Sequence, residues 1–258
     1  MQANVYGLDL AMVSLIIFTG FFLYLVLWLH RESKREGYPL EVDSGPRPRV
    51  PMVGYPAPPP PKTFKVAHGT PVTVAGGRPD TRALALKRMG QFPGAPYVPT
   101  GNPMADGVGP ASYAERADVP DMMIDGSPRL RPLRAAPGFS LASEDPSPIG
   151  MTVIGGDGKS AGTVREAWID KAEYIMRYME VEVPIANGSR RVLLPVNFTT
   201  MDAARKRVHV KAIYAGQFAG VPGIKNPDSV TLLEEDKIMG YYGGGTLYAD
   251  RRRQEPLA

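Results

Sequence analysis

Residues 10–29 read LAMVSLIIFTGFFLYLVLWL, a run with no charged side chain and only Ser14 and Thr19 as small polar ones. At a rise of about 1.5 Å per residue, a helix of this length spans about 30 Å, the thickness of a bilayer's hydrocarbon core. Leu, Ile, Phe and Val fill most of the run. Each favours insertion by roughly 0.3 to 0.6 kcal/mol, so together they favour it by roughly 4 to 8 kcal/mol. No Lys or Arg precedes the run, whereas Arg31, Lys34 and Arg35 follow it directly. The positive-inside rule therefore places Met1 in the periplasm and the bulk of the chain in the cytoplasm. A cleaved signal peptide has the reverse order, with basic residues first and a shorter apolar core.

Composition narrows what the remaining residues can do. The chain has no Cys and three His, which excludes disulfides, thiolate catalysis and thiolate zinc sites and argues against a histidine-rich metal site. The net charge of +4 is modest, and much of the excess sits at Arg31, Lys34 and Arg35 and at Arg251, Arg252 and Arg253. That pattern fits anionic lipid headgroups at the first cluster better than a nucleic-acid surface.

Beyond the apolar run, residues 45–62 read GPRPRVPMVGYPAPPPPK, a proline density that implies an extended segment free of helix. Short strands are expected to pair over 64–66 and 72–74. The stretch 76–150 stays rich in Gly and Pro but carries apolar and aromatic residues at intervals (Phe92, Tyr97, Met104, Val108, Tyr113, Val119), which implies ordering by contact with something else. After residue 149 the pattern turns to β structure. Strands are expected over 151–154, 162–170, 175–183, 191–196, 198–201 and 207–210, with Asn187-Gly188 as the hairpin turn. The 175–183 strand alternates Arg177, Met179, Val181 and Val183 against Tyr178, Glu180 and Glu182, which predicts one apolar and one wet face. A small antiparallel barrel or sandwich follows. Near the end, a helix is expected over 232–242, capped by Thr231 and Glu234 and stopped by Gly243, Gly244 and Gly245.

Several of these stretches resemble one family: REGYPLE at 35–41, PKTF with AHG after it, PTGNPMADGVGPASYAERAD, AGTVREAWIDKAEYIMRYMEVEV, and LLEEDKIMGYYGGGTLYA. Together they are similar to the H subunit of the purple-bacterial type photosynthetic reaction centre. The resemblance implies a single transmembrane α-helix, a mainly β cytoplasmic domain built on a small antiparallel PRC-barrel, and a C-terminal helix. It divides the chain into a periplasmic tail and membrane helix (1–33), an extended segment lying on partner subunits (34–121), and a cytoplasmic domain (122–258) with its barrel core at about 148–215.

The function implied is that of a non-enzymatic subunit of the inner, intracytoplasmic membrane. Such a subunit stabilises the L and M subunits, shields the quinone sites and contributes to proton transfer to the secondary quinone. It binds no cofactor itself; bacteriochlorophyll, bacteriopheophytin, quinones and non-haem iron belong to L and M, and a light-harvesting antenna and anionic lipids are further expected partners. By the same resemblance Glu173 and Asp170 belong to a proton-transfer cluster supported by Arg177, and Asp125 lies at the mouth of the path. Some family members have a histidine pair after that aspartate, where this chain has Ser127, Pro128 and Arg129. Carboxylates crowded together are expected to be harder to ionise, which raises their pKa values toward neutrality. Two other readings compete. One is a membrane-tethered PRC-barrel for RNA or a ribosomal protein, which needs a basic face; the other is a tethered hydrolase using Asp170 and Glu173 as acid and base.

Overall fold

The computed structural model describes residues 9–45, 50–74 and 81–254. The expected periplasmic tail, part of the proline-rich stretch (46–49) and the extreme C-terminus lie outside them. The chain forms two compact units, Met1–Thr81 with Met89–Pro96, and Arg82–Arg88 with Tyr97–Ala258.

The first unit is led by α1 (Leu10–Glu32), which is apolar on all sides and has no buried residue. It is long and apolar enough to cross a membrane. Asp9 caps its start by accepting from the Met12 N–H at 2.7 Å. The small hydroxyl side chains of Ser14 and Thr19 inside it are bonded locally: Ser14 Oγ donates to the Leu10 carbonyl and Thr19 Oγ1 to the Leu15 carbonyl. In hydrocarbon, where water cannot satisfy a hydroxyl, that local bonding removes a cost of insertion. The helix runs three residues past the apolar stretch, because the backbone ladder continues where hydrophobicity stops.

After α1, four short strands form two antiparallel pairs: β1 (Leu40–Val42) with β2 (Val50–Met52), and β3 (Lys62–Phe64) with β4 (Val72–Val74). The second pair was expected within two residues; the first was not. Their apolar side chains, including Leu40, Val50, Met52, Phe64 and Val72, are exposed.

The second unit begins with the pair β5 (Leu86–Arg88) and β6 (Tyr97–Pro99), followed by the one-turn helix α2 (Pro103–Asp106). Its sheet contains β7 (Leu130–Pro132), β8 (Thr152–Ile154), β9 (Ser160–Asp170), β10 (Ile175–Ile185), β11 (Gly188–Pro195), β12 (Thr199–Asp202) and β13 (Arg207–Val210). The order is β11-β10-β9-β8-β13-β12, with β7 added against β9; only the β8–β13 pair is parallel. Apart from β7, every strand falls where the sequence placed it, with ends shifted by a few residues. The β10–β11 turn is centred on Ala186 and Asn187, one residue earlier than expected. Ile185 pairs with Gly188, which takes φ 121 as the first residue of β11.

Two expectations are corrected. The first is the wet face of β10, where Tyr178 and Glu180 are as buried as Met179 and Val181. The Tyr178 hydroxyl donates to Glu235, and Glu180 accepts from Trp168 Nε1, Arg134 and Arg191, so their polar atoms are satisfied without water. The second is the end of the C-terminal helix. Thr231 and Glu234 form the expected capping box, but α3 runs over Leu232–Tyr248, straight through Gly243, Gly244 and Gly245. These glycines serve close packing. A Cβ at Gly240 would lie 2.7 Å from the Ala111 carbonyl oxygen, one at Gly245 would lie 2.6 Å from that of Ala212, and one at Gly244 would collide with the Ala111 side chain. The segment around Ala111, expected to be part of an extended arm, is therefore fixed on α3 within this unit.

Gly244→Ala removes a helix-weakening residue, worth about 1 kcal/mol, yet inserts a methyl into occupied space at a cost of about 1–3 kcal/mol. The collision is with a Cβ that cannot rotate away. Thermal unfolding of the purified chain should show a lower Tm in the variant, whereas a raised Tm would mean that the glycines are not held at this contact.

Candidate functional site

The turn between β9 and β10 carries Asp170, Lys171, Ala172, Glu173 and Tyr174. Asp170 closes it: Oδ1 accepts from the Ala172 N–H at 2.9 Å and the Glu173 N–H at 3.1 Å, and its carbonyl accepts from the Tyr174 N–H at 2.9 Å. Tyr174 takes φ 57 to bring the chain back into β10. These local bonds point the Asp170 carboxylate inward, where it is 1% exposed.

A buried carboxylate needs a cation, and β7 brings one. Leu130 pairs with Asp170 in the β7–β9 register, and the Lys171 N–H donates to the Arg129 carbonyl at 3.0 Å. Arg129 is thereby held beside the turn. Its Nε lies 2.9 and 3.0 Å from the two Asp170 oxygens, and Nη2 lies 2.8 Å from Oδ2 and 2.6 Å from Glu173 Oε1. Nη1 reaches Asp121 at 3.3 Å. Arg177, the first β10 side chain to reach back to the turn, donates to Glu173 Oε2 at 3.1 Å and to Asp170 Oδ2 at 3.4 Å. Three carboxylates and two guanidiniums thus share one network.

Asp125 belongs to the same neighbourhood. Its Oδ1 accepts from the Ser127 N–H at 2.8 Å and from Ser127 Oγ at 2.6 Å, and Ser127 Oγ accepts from Lys171 Nζ at 2.6 Å. One hydroxyl therefore links Asp125 to the residue next to Asp170. The structure brings Asp125, Asp170, Glu173 and Arg177 together, and it adds Arg129, Asp121, Ser127 and Lys171, which the sequence reading left out. Ser127 and Arg129 were noted there only as residues standing where histidines occur in some family members. The alternation of charge and apolar bulk in Arg129-Leu130-Arg131-Pro132 was the available signal for β7.

The electrostatics correct one expectation. Burial pushes the Asp170 carboxyl up, but its hydrogen bonds from Arg129, Glu173 and Ala172 and the Arg129 charge outweigh this and hold it below the ordinary carboxylate range. Arg129 is raised in turn, chiefly by its hydrogen bond to Asp170. A carboxyl held low is unsuited to donate a proton as a general acid, so in the hydrolase reading Asp170 cannot be the acid of the pair.

At the other cluster, Lys34 is 3% exposed; its Nζ donates to the Pro56 carbonyl at 2.7 Å and lies over the Tyr38 ring. Arg35 pairs with Glu32 at 2.6 Å and donates to the Pro60 carbonyl at 2.8 Å. Of the three cations expected at lipid headgroups, two are engaged by the proline-rich segment, which leaves the exposed Arg31 as the candidate. Among the described residues, no group of His, Asp and Glu is arranged to hold a metal ion.

Asp170 supplies a pH test. Its folded-state pKa lies below the unfolded value of about 3.9, so its contribution to stability is fully present above that pH and is lost as pH falls through the depressed value. Asp170→Asn should cost about 3–5 kcal/mol at pH 7. In urea unfolding followed from pH 7 to pH 3, the gap to wild type should narrow in acid; a gap independent of pH would contradict the ionised pair.

Comparison with known families agrees with these features. The model of the photosynthetic reaction centre H-chain N-terminal region matches residues 3–135, slightly more than half of the chain, and that of the PRC-barrel domain matches residues 142–217. The first match takes in α1, β1 to β7 and the Arg129 side of the network, and the second takes in the turn that carries Asp170 and Glu173. With an N-terminal helix long and apolar enough to cross a membrane, a β domain of PRC-barrel type and a C-terminal helix, the chain belongs to the photosynthetic reaction centre H-chain family.

Proposed function

We propose that this subunit caps the L and M subunits on the cytoplasmic side, shields the quinone sites from bulk water and passes protons toward the secondary quinone through the Asp170–Glu173 turn. The chain enters the membrane with its N-terminus in the periplasm, and Arg31 meets anionic headgroups where α1 leaves it. The exposed apolar side chains of β1 to β4 support a segment that lies on partner subunits, because they have no core of their own to enter. The antenna is a further partner on this reading, and the pigments, quinones and iron are carried by L and M.

The observation that carries the proton-delivery reading is the network around Arg129. Glu173 is its most exposed member on the turn, with 49% of its side chain accessible, so both water and a partner surface can reach it. Asp170 stays charged, and with Arg129 and Arg177 it fixes where the Glu173 carboxyl sits. Asp125 takes protons from solvent at the outer edge, where Ser127 holds its carboxylate and Lys171 orients Ser127 in turn. Protons pass from there to Glu173 through water, and Glu173 passes them on. The quinone, when bound on L and M, supplies the reduced oxygen atoms that accept them.

Glu173→Gln keeps the shape and removes the titrating group. In assembled complexes the first electron transfer should be unchanged, while the second, proton-coupled transfer should slow by about ten- to a hundredfold. Asp125→Asn should slow it less, and the two effects should be less than additive if both residues lie on one path. Flash kinetics across pH provide the measurement. Wild-type rates in assembled Glu173→Gln complexes would leave the subunit as a structural cap alone.

A further inference from the structure

The acidic start of α3 holds a carboxyl that neither the cap nor the Arg129 network uses. Glu234 is occupied by the capping box and by the Lys225 N–H. Glu235, one residue on, turns instead toward β10, where its Oε2 accepts from the Tyr178 hydroxyl at 2.9 Å. It lines a cleft of about 480 Å³ between α3 and β10, together with Arg116, Tyr178, Arg177, Asn197 and Asp236. Such a space, with polar groups on both walls, has room for several waters.

The cleft reaches the proton-delivery network through Arg177. The same guanidinium that lines it lies 3.1 Å from Glu173 Oε2. A second link runs through the segment before β7: Leu232 N–H donates to the Val119 carbonyl, Pro120 pairs with Thr231, and Asp121 two residues on is bound by Arg129. We propose that Glu235 is a further proton-holding carboxyl of this subunit, which resupplies Glu173 through water in the cleft between α3 and β10. This inference rests on the proton-delivery reading of Glu173. In the step, the O–H bond of Glu235 breaks and its proton passes to a cleft water. That water gives one of its own protons to the Glu173 carboxylate, and Glu235 regains a proton from cytoplasmic water.

The surroundings suit that task. Burial pushes the Glu235 carboxyl above the ordinary carboxylate range and Asp121 adds to this, against the opposing hydrogen bond from Tyr178 and the charges of Arg116 and Arg177. Asp236, beside it on α3, is paired with Arg116 at 3.6 Å. At the start of α3 the helix dipole favours the anion, and burial of the Glu235 carboxyl works against it.

The test uses the assembled reaction centre. Glu235→Gln should leave the first electron transfer unchanged and slow the second about three- to tenfold. It should also remove a protonated-carboxyl band from the infrared difference spectrum of quinone reduction, and Glu235→Asp should restore part of both. If Glu173→Gln is slow and Glu235→Gln matches wild type in rate and spectrum, Glu235 is no carrier while the reading of Glu173 stands; if neither variant is slow, both fail. Should Glu235→Gln not assemble, Tyr178→Phe decides. It removes a hydrogen bond that favours the carboxylate, so the pH at which the second transfer slows should move upward, and an unmoved profile would overturn the proposal.

Discussion

The contact between Arg129 and Asp170 is the constraint on which this site depends. A carboxylate as buried as Asp170 cannot stay ionised alone, and removing either partner of such a pair leaves a charge whose desolvation costs several kcal/mol. The guanidinium answers it with two short bonds to its oxygens and a third to Glu173. Because Arg129 stands at the edge of β7 and Asp170 at the end of β9, the pair also fastens a three-residue strand to the sheet that the rest of the barrel is built on. The β9–β10 turn and the attachment of the preceding segment are one structure.

A second constraint works from the other side of the domain. The glycines of α3 let the helix lie against the backbone of the segment at Ala111 and against Ala212 and Ile213. The close approach brings the start of α3 to β10, where Tyr178 meets Glu235. The covered middle of β10 follows from this: side chains that alternate as though one face met water are instead bonded to a helix, to Arg191 of β11 and to Arg134 in the turn after β7. The acids Glu166, Glu180 and Glu182 are each paired with an arginine, so the barrel's formal charges largely cancel.

What the sequence made legible were the features with short-range causes. The membrane helix is a matter of length and apolarity, the β10–β11 hairpin of alternation around an Asn-Gly pair, and the capping box of two residues three apart. Asp170 and Glu173 share one turn and Arg177 follows it in β10, so their proximity could be read directly, and the family resemblance gave them a role. Arg129 could not be found this way, since its partner lies 41 residues off and the strand that places it has only three residues. The glycines of α3 were misread because Gly marks both a helix stop and a close approach, and only the neighbouring backbone decides between them. The raised pKa expected for Asp170 failed for the same reason, as carboxylates were visible locally and their guanidinium was not.

The central claim is that Arg129 and Glu173 act as one unit in delivering protons. A double-mutant cycle with Arg129→Leu and Glu173→Gln, read as the rate of the second electron transfer in assembled complexes, tests it most directly. The account predicts that the double variant is little slower than the slower single one, with a coupling well above about 0.5 kcal/mol. Effects that simply add would mean that the guanidinium organises the fold of the turn without bearing on the path of the proton.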